Sequence, residues 1–402
     1  MDAERLKLLS FTICYPNPVD PVLGNFVRFR VRQIATMADV RVIAPVERFR
    51  FSKFPRFWAN TRDIPGHIDD DGLQVLHPRW TYPPLAGTIN SVFLFLQLLG
   101  PIARLRRQFD FQLIDAHFGH PEGVAAALLS VWFRRQFIIT LRGSEVDHAQ
   151  RPIRRWAMSW ALRRAARVIT VSERLRKFAI SLGIDPQRTR TIPNGVDSHI
   201  YHPRDIAACR QKHGIPHDRR VILSAGVLMP LKGQHLMVRA LKRLAEGGIR
   251  AELILAGYAG RTATYEQELR SEIAALGLEQ DVRLPGHLPR EELAELTCAA
   301  DVFCLASTRE GWPNVVHEAL ACGTPVVATD VGAIPEMMPS ESPGFVVPPN
   351  DVPALAEALA RALRCEWDRQ AIARWGQARS WENVAADVFV EMQQVIRESA
   401  RK

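Results

Sequence analysis

The chain reads as an α/β protein made of two doubly wound, parallel-sheet domains. Three observations carry that reading. At 402 residues it is long for a single hydrophobic core. A rhythm of short apolar run, polar turn and amphipathic helix starts at the N-terminus and starts again near residue 220, with no sequence repeat between the halves. Glycines stand at the ends of several apolar runs, where a parallel sheet hands over to a helix.

In the first half, residues 6–13 suit a buried strand. A proline-rich turn follows, then Gly24 opens a helix to about residue 37, and 40–44 is the next strand. Gly24 is the glycine placed to border a ligand cleft. The fingerprint G-x-G-x-x-G is absent, which argues against a dinucleotide enzyme. Residues 48–58 alternate basic and aromatic side chains. Such a segment suits a membrane interface, or a loop whose aromatics tuck onto the domain, and Pro55 argues against a long helix. Residues 89–99 are strongly apolar, with Arg104, Arg106 and Arg107 after them. A run of about eleven residues is too short to cross a bilayer, so a core helix is expected, with an interfacial helix second.

Residues 112–116 and 137–141 are expected strands. Their carboxyl ends carry His117-Phe118-Gly119-His120 and Arg142-Gly143-Ser144-Glu145. Open α/β sheets bind ligands at the carboxyl ends of strands, so His117, His120, Arg142 and Glu145 are expected on one rim. Residues 151–167 place several arginines three and four apart among Trp156, Met158 and Trp160, a basic helical face that is either solvated or in contact with an anionic partner. The turn Pro193-Asn194-Gly195-Val196-Asp197 ends the first pattern, which puts the domain boundary near 197.

The second half opens with a strand at 221–226 and a loop holding Lys232-Gly233 before a helix. Lysine beside glycine at a strand-to-helix turn suits a diphosphate. Strands follow at 252–256 and 281–284, then an amphipathic helix from 289. Residues 301–332 are the most informative stretch. An apolar strand at 302–305 gives way to a polar turn with Glu310 and Gly311, and Pro313 opens a helix that stops near Gly323. The helix start at Asn314 and Val315 offers free N–H groups and the positive end of the dipole, which suits a phosphate. Glu318 lies four residues after Asn314 and shares its face. Gly311 lets the backbone approach a ligand. One loop and one helix thus form an anion site flanked by two carboxylates able to accept hydrogen bonds from sugar hydroxyls. A last strand at 344–347 and helices at 352–364 and 381–398 complete the pattern.

Composition narrows the function. Apolar content of 47% and charged content of 24% are those of a globular protein. The net charge of +9 is uneven: residues 1–200 hold 29 Lys/Arg against 17 Asp/Glu. A basic first half implies an anionic partner, such as an acidic lipid surface or a lipid-diphosphate acceptor, or else a bland basic surface. No ordered aromatic/basic nucleic-acid motif occurs, so no nucleic acid is expected. The six cysteines are scattered, with no C-x-x-C pair, which reads as buried thiols in a reducing compartment. Asp69-Asp70-Asp71 lies in a linker-like stretch, and no D-x-D metal motif lies at a suitable place, so neither a metal nor another cofactor is expected.

The spacing Glu310-x7-Glu318, followed by Ala-Leu-Ala-Cys-Gly-Thr-Pro-Val-Val-Ala-Thr, resembles the signature of retaining, nucleotide-sugar-dependent glycosyltransferases of the GT4 type. Their fold is GT-B: two Rossmann-like domains facing a cleft, with a C-terminal helix crossing back to the first. The resemblance implies an acceptor-binding domain at 1–197 with about 380–402, and a donor-binding domain at 198–379. It implies that Glu318 binds the ribose hydroxyls and Glu310 the donor sugar. Lys232, with the backbone at Gly311, Asn314 and Val315, would hold the diphosphate, and the Gly24 loop would lie across from it. Two departures stand out. The family's T-x-H-G is Thr140-Leu141-Arg142-Gly143, as in enzymes that resemble teichuronic acid transferases, so the histidine's role either passes to His117 or is absent, and Arg142, which stays protonated, is expected to bind a phosphate or hydroxyl. The family's G-R-L-x-x-x-K-G keeps Gly226, Leu228, Lys232 and Gly233 but has Val227 for arginine. The implied activity is transfer of a sugar from a nucleotide-diphosphate sugar to a glycan or lipid-linked saccharide in cell-surface polysaccharide synthesis. The implied location is cytoplasmic, peripheral at the inner face of the cytoplasmic membrane. Alternatives are a nucleotide-sugar epimerase of the same fold and a non-catalytic nucleotide-sugar-binding subunit.

Overall fold

Alternation of buried apolar runs with polar turns builds two parallel sheets, each in its own unit. The computed structural model describes residues 5–48, 60–83, 86–258, 264–340 and 342–401. It divides into residues 1–194 with 381–402, and residues 195–380.

The first unit contains β1 (Lys7–Phe11), α1 (Asn25–Met37), β2 (Asp39–Ile43), β3 (Val46–Glu47), β4 (His67–Asp70), β5 (Leu73–Leu76), β6 (Arg79–Trp80), α2 (Asn90–Gln108), β7 (Leu113–His117), α3 (Val124–Phe133), β8 (Gln136–Leu141), α4 (Pro152–Arg164), β9 (Arg167–Thr170), α5 (Glu173–Ser181) and β10 (Thr189–Thr191). Its main sheet has the order β10-β9-β8-β7-β1-β2-β5-β4. All neighbours are parallel except β4 and β5. The order reverses at β1, which pairs with both β2 and β7. The crevice at the carboxyl ends therefore opens beside β1 and β7.

Two sequence expectations change here. Residues 67–76 form a hairpin, and Asp71 and Gly72 take positive φ at its tip. Asp69-Asp70-Asp71 is therefore no linker: Asp70 accepts from the Tyr15 hydroxyl at 2.9 Å and from Arg28 Nε at 2.8 Å, and Arg32 pairs with it at 2.7 Å. The helix expected at 89–99 runs on through Pro101 to Gln108, because Leu94, Leu98 and Ile102 continue one fully buried stripe. The basic-aromatic run from 48 lies outside the described residues beyond Arg48.

The second unit contains α6 (Ile206–Lys212), β11 (Val221–Ala225), α7 (Gln234–Glu246), β12 (Glu252–Ala256), α8 (Thr264–Ala275), β13 (Val282–Gly286), α9 (Arg290–Ala299), β14 (Val302–Leu305), α10 (Asn314–Ala321), β15 (Val326–Thr329), β16 (Gly344–Val347), α11 (Val352–Ala362) and α12 (Arg369–Gln377). Its sheet is wholly parallel in the order β13-β12-β11-β14-β15-β16. One buried cluster covers each face. The order reverses between β11 and β14, so the ligand crevice of this unit lies between their carboxyl ends.

The last helix, α13 (Trp381–Ala400), belongs to the first unit. Its Trp381, Val384, Val388 and Met392 join Val27, Val31 and Ile34 of α1 in one buried cluster. Burying four such side chains contributes on the order of 6–12 kcal/mol before the entropy cost. Arg167 and Arg190 both reach Glu391, at 3.0 and 3.2 Å, so acids of this helix answer part of the basic excess of the first half.

Candidate active site

In the second unit, three strand-end loops meet at the β11/β14 crevice. The loop after β11 ends in a short turn at Pro230–Lys232 and in Gly233, at φ +70°. A Cβ at Gly233 would lie 2.1 Å from the Ala306 carbonyl oxygen, so only glycine lets this loop lie against the end of β14. The Thr308 N–H donates to the Leu231 carbonyl at 2.9 Å and joins the two loops. That contact brings Lys232 Nζ to 2.7 Å from Glu310 Oε1, and the Ser307 hydroxyl donates to the same oxygen at 2.6 Å. The loop after β15 closes the third side, where Ala333 N–H donates to the Gly311 carbonyl at 3.0 Å.

The turn then runs into α10, whose first turn has no side-chain cap and no acidic residue. Asn314 and Val315 thus present a positive helix end beside Lys232 and Glu310. Glu318 sits one turn on. Burial pushes its carboxyl up to about 7, against the pull of Arg290 and a hydrogen bond with Tyr201. The Arg290 guanidinium lies 5.5 Å from the centre of the Tyr201 ring and donates to Asp197 at 3.2 Å. Tyr201 and Arg290 thereby fix the orientation of Glu318.

In the first unit, a buried polar cluster lies under the carboxyl ends of β7 and β8. Arg30, from α1, donates Nη2 to both Asp115 oxygens at 2.9 Å and Nη1 to Thr140 Oγ1 at 2.7 Å. His117 is fully buried between Ser10 at 3.3 Å, Arg30 at 3.3 Å and Arg142 at 3.0 Å. Burial and the two guanidiniums hold it down to about 3, so it is neutral at pH 7. Burial also raises the cost of ionising Asp115, but Arg30 and His117 outweigh it and keep the carboxyl well below the usual range. Arg142 lies over the Phe26 ring at 4.9 Å and donates to Asn194 at 3.2 Å. Burial and Arg30 lower it to about 9, so it still carries its charge at pH 7.

Glu145 is turned inward. It accepts the N–H groups of Gly119 at 2.9 Å, Arg142 at 3.2 Å and Gly143 at 2.7 Å, and so ties the two strand-end loops together. Nearby Glu122 accepts from the Ile13 N–H at 3.2 Å, and burial pushes it up to about 8. Gly24 precedes α1 at φ +67°, where a Cβ would stand 2.1 Å from the Cys14 carbonyl oxygen.

Comparison with known proteins decides what this arrangement belongs to. The model for glycosyl transferases group 1 matches residues 205–379, and that for glycosyltransferase family 4 matches residues 61–199. The chain is a GT4-type glycosyltransferase. It is 28% identical over 369 residues to a Bacillus subtilis protein named as a teichuronic acid biosynthesis glycosyltransferase, covering 89% of each chain. Among solved structures it is similar to a sucrose-phosphate synthase from Thermosynechococcus elongatus, with a TM-score of 0.80 and 20% identity over 98% of this chain and all of that one. It is also similar to HepE from Anabaena in complex with UDP, with a TM-score of 0.74 and 23% identity over 97% of this chain and all of that one. The fold is GT-B.

The glycosyltransferase brings most of the sequence-derived site residues together within their own units. Lys232, Glu310 and Gly311 share one cluster with the start of α10, and Glu318 stands behind it. His117 and Arg142 are in direct contact. The expected rim of four does not form. His120 is buried and packs on His148, with ring centres 5.2 Å apart, and Glu145 holds backbone. Three participants went unread: Arg30, Asp115 and Tyr201. The signal for two of them was present. Arg30 interrupts the apolar stripe Val27-Val31-Ile34, and Asp115 stands inside an apolar strand, and a charge in either place must find a buried partner. Tyr201 carries no such mark.

Proposed function

We propose that this glycosyltransferase moves a sugar from a nucleotide-diphosphate donor to a hydroxyl of a glycan or lipid-linked saccharide, with retention of configuration, in the assembly of a cell-surface polysaccharide. The observation that carries the proposal is the Lys232–Glu310 pair, set at the strand-order reversal and beside the N-terminus of α10, which has no side-chain cap. The pair holds a cation and an acceptor in place before any ligand arrives. Lys232 and the first N–H groups of α10 then bind the diphosphate, and Glu310 accepts from the sugar hydroxyls. As the bond from the anomeric carbon to the phosphate breaks, these fixed donors stabilise the charge on the leaving diphosphate, which is the main catalytic contribution. Glu318 takes the ribose hydroxyls. Val227, where the family has arginine, leaves Lys232 with more of the phosphate charge.

The first unit supplies the acceptor side. Arg142 presents a guanidinium to a phosphate or hydroxyl, and His117 beneath it, neutral and without access to solvent, orients Arg142. The teichuronic acid relative supports the polysaccharide role. Free cysteines support a reducing, cytoplasmic setting. Among the described residues no helix is long and apolar enough to cross a membrane. A lipid-linked acceptor would bring the enzyme to the inner face of the cytoplasmic membrane as a peripheral protein.

Thermal-shift screening with UDP-, GDP- and ADP-sugars tests the donor reading, since a bound donor raises the midpoint by mass action. The HepE complex makes UDP-sugars the first to try. Glu310→Ala is expected to lower turnover at least a hundredfold, about 2.7 kcal/mol of transition-state stabilisation. An unchanged rate removes Glu310 from the mechanism. We also propose that turnover needs no metal, because lysine and helix end supply the positive charge. Full activity in excess EDTA is expected, and loss that Mg²⁺ restores overturns this part.

A further inference from the structure

We propose that the outward faces of α2, α3 and α4 form a docking surface for an anionic phospholipid bilayer. The helix α2 is apolar on two sides. Leu94, Leu98 and Ile102 face the core and are fully buried, yet Ile89, Val92 and Leu96 are 49%, 43% and 56% exposed. Their spacing puts them on one stripe along its first turns. Trp132, at the end of α3, is 64% exposed and meets Phe95 of α2 edge-on, with ring centres 6.3 Å apart. On α4, Ile153 and Trp156 are 59% and 69% exposed. Arg154 Nη2 donates to the Gly87 carbonyl at 2.7 Å, which draws the start of α4 against the segment that leads into α2. Single exposed apolar residues are ordinary, but two tryptophans and four aliphatic side chains on three neighbouring helices are a patch.

Charge commits the patch to a lipid surface. Arg104, Arg107, Arg134, Arg151 and Arg155 are exposed on these helices or at their ends. Between residues 86 and 164 the fully exposed carboxylate is Asp110, which Arg106 and Arg135 already hold at 2.9 and 2.8 Å, and Asp147 is half-buried. Exposed tryptophan and leucine on helices that also carry exposed arginines fit the headgroup level of an anionic membrane, where indoles sit at the interface and guanidiniums meet phosphates. The inner face of α4 packs beneath the polar cluster, where buried Met158 lies against Gly119, next to His117 and Glu145. A lipid-linked acceptor would be met in the bilayer to which this unit docks. This deepens the proposed function, and rests on it only for the nature of the acceptor.

The test is co-sedimentation of the whole chain with extruded vesicles, either phosphatidylcholine alone or an equal mixture with phosphatidylglycerol. Binding to the mixed vesicles is expected, with much weaker binding to neutral ones and at high salt. Leu96→Ser with Trp156→Ser is expected to lower partitioning about tenfold or more. Arg151→Gln with Arg155→Gln should lower it and flatten the salt dependence. All four side chains are exposed, so both variants should keep the parent's thermal midpoint and its shift with UDP. No binding to anionic vesicles by the parent, or equal binding by the Leu96/Trp156 variant, overturns the proposal. So does a parent dimer that the Leu96/Trp156 variant converts to monomer, which assigns the face to a second copy. No shift in the parent with UDP-, GDP- and ADP-sugars alike would instead sink the donor reading and leave this one standing.

Discussion

Asp115→Ala tests whether the buried Arg30–Asp115 pair holds the first unit's polar cluster together. Arg30 and Asp115 are 2% and 3% exposed, and both carboxylate oxygens accept from one guanidinium nitrogen at 2.9 Å. Removing the carboxylate strands a buried arginine beside a second one, Arg142. Breaking one side of a buried pair costs about 3–5 kcal/mol. For a unit of this size that lowers the midpoint by about 6–20 °C, at about 2–4 °C per kcal/mol. Differential scanning calorimetry reads the change. Arg30→Met combined with Asp115→Leu removes both charges and is expected to recover at least half of the loss. The same cluster sets an acid limb. Asp115 lies below its ordinary 3.8, so its contribution is complete above about pH 4 and fades as pH falls through and below that value. His117 stands at about 3 against an ordinary 6.5. The unfolded chain therefore binds that proton first, and the His117 contribution alone falls from about pH 6.5 downward by about 1.4 kcal/mol per pH unit, opposed down to about pH 4.5 by Glu122, whose raised carboxyl takes up its proton in the folded state first. A midpoint within about 2 °C of the parent for Asp115→Ala, or a double variant no better than the single, would refute the reasoning.

Two further predictions concern the donor side. Glu318 ionises near pH 7, and only the carboxylate accepts from both ribose hydroxyls, so affinity for a UDP-sugar should rise about tenfold between pH 6 and 8. Titration calorimetry should show the slope in the parent and a flat, weaker profile in Glu318→Gln; a flat parent removes Glu318 from the ribose. Gly233→Ala places a methyl carbon 2.1 Å from the Ala306 carbonyl in a left-handed conformation. The loop carrying Lys232 must shift, so donor affinity should fall about tenfold while the β11 and β14 core stays folded. Unaltered affinity would mean that the contact between the loops after β11 and β14 does not position Lys232.

Much of the donor side was legible in the chain because its signals are local. A strand, a glycine turn and a helix start within about ten residues are set by periodicity and turn chemistry. Glu310, Gly311, Asn314 and Val315 therefore fall where the spacing puts them, and Lys232 with Gly233 does the same after β11. The strand-helix alternation and the restart near 220 likewise fixed two parallel sheets. What pairs with what was decided only by the tertiary structure. Arg30 and Asp115 are 85 residues apart, Lys232 and Glu310 78, and no local pattern distinguishes such partners from solvated charges. Burial, which makes His117 neutral, raises the Glu318 carboxyl and turns Glu145 into a backbone acceptor, exists only once the elements pack. The same holds for α2: one apolar segment reads alike from either side, and only packing separates the stripe that became core from the stripe left facing out.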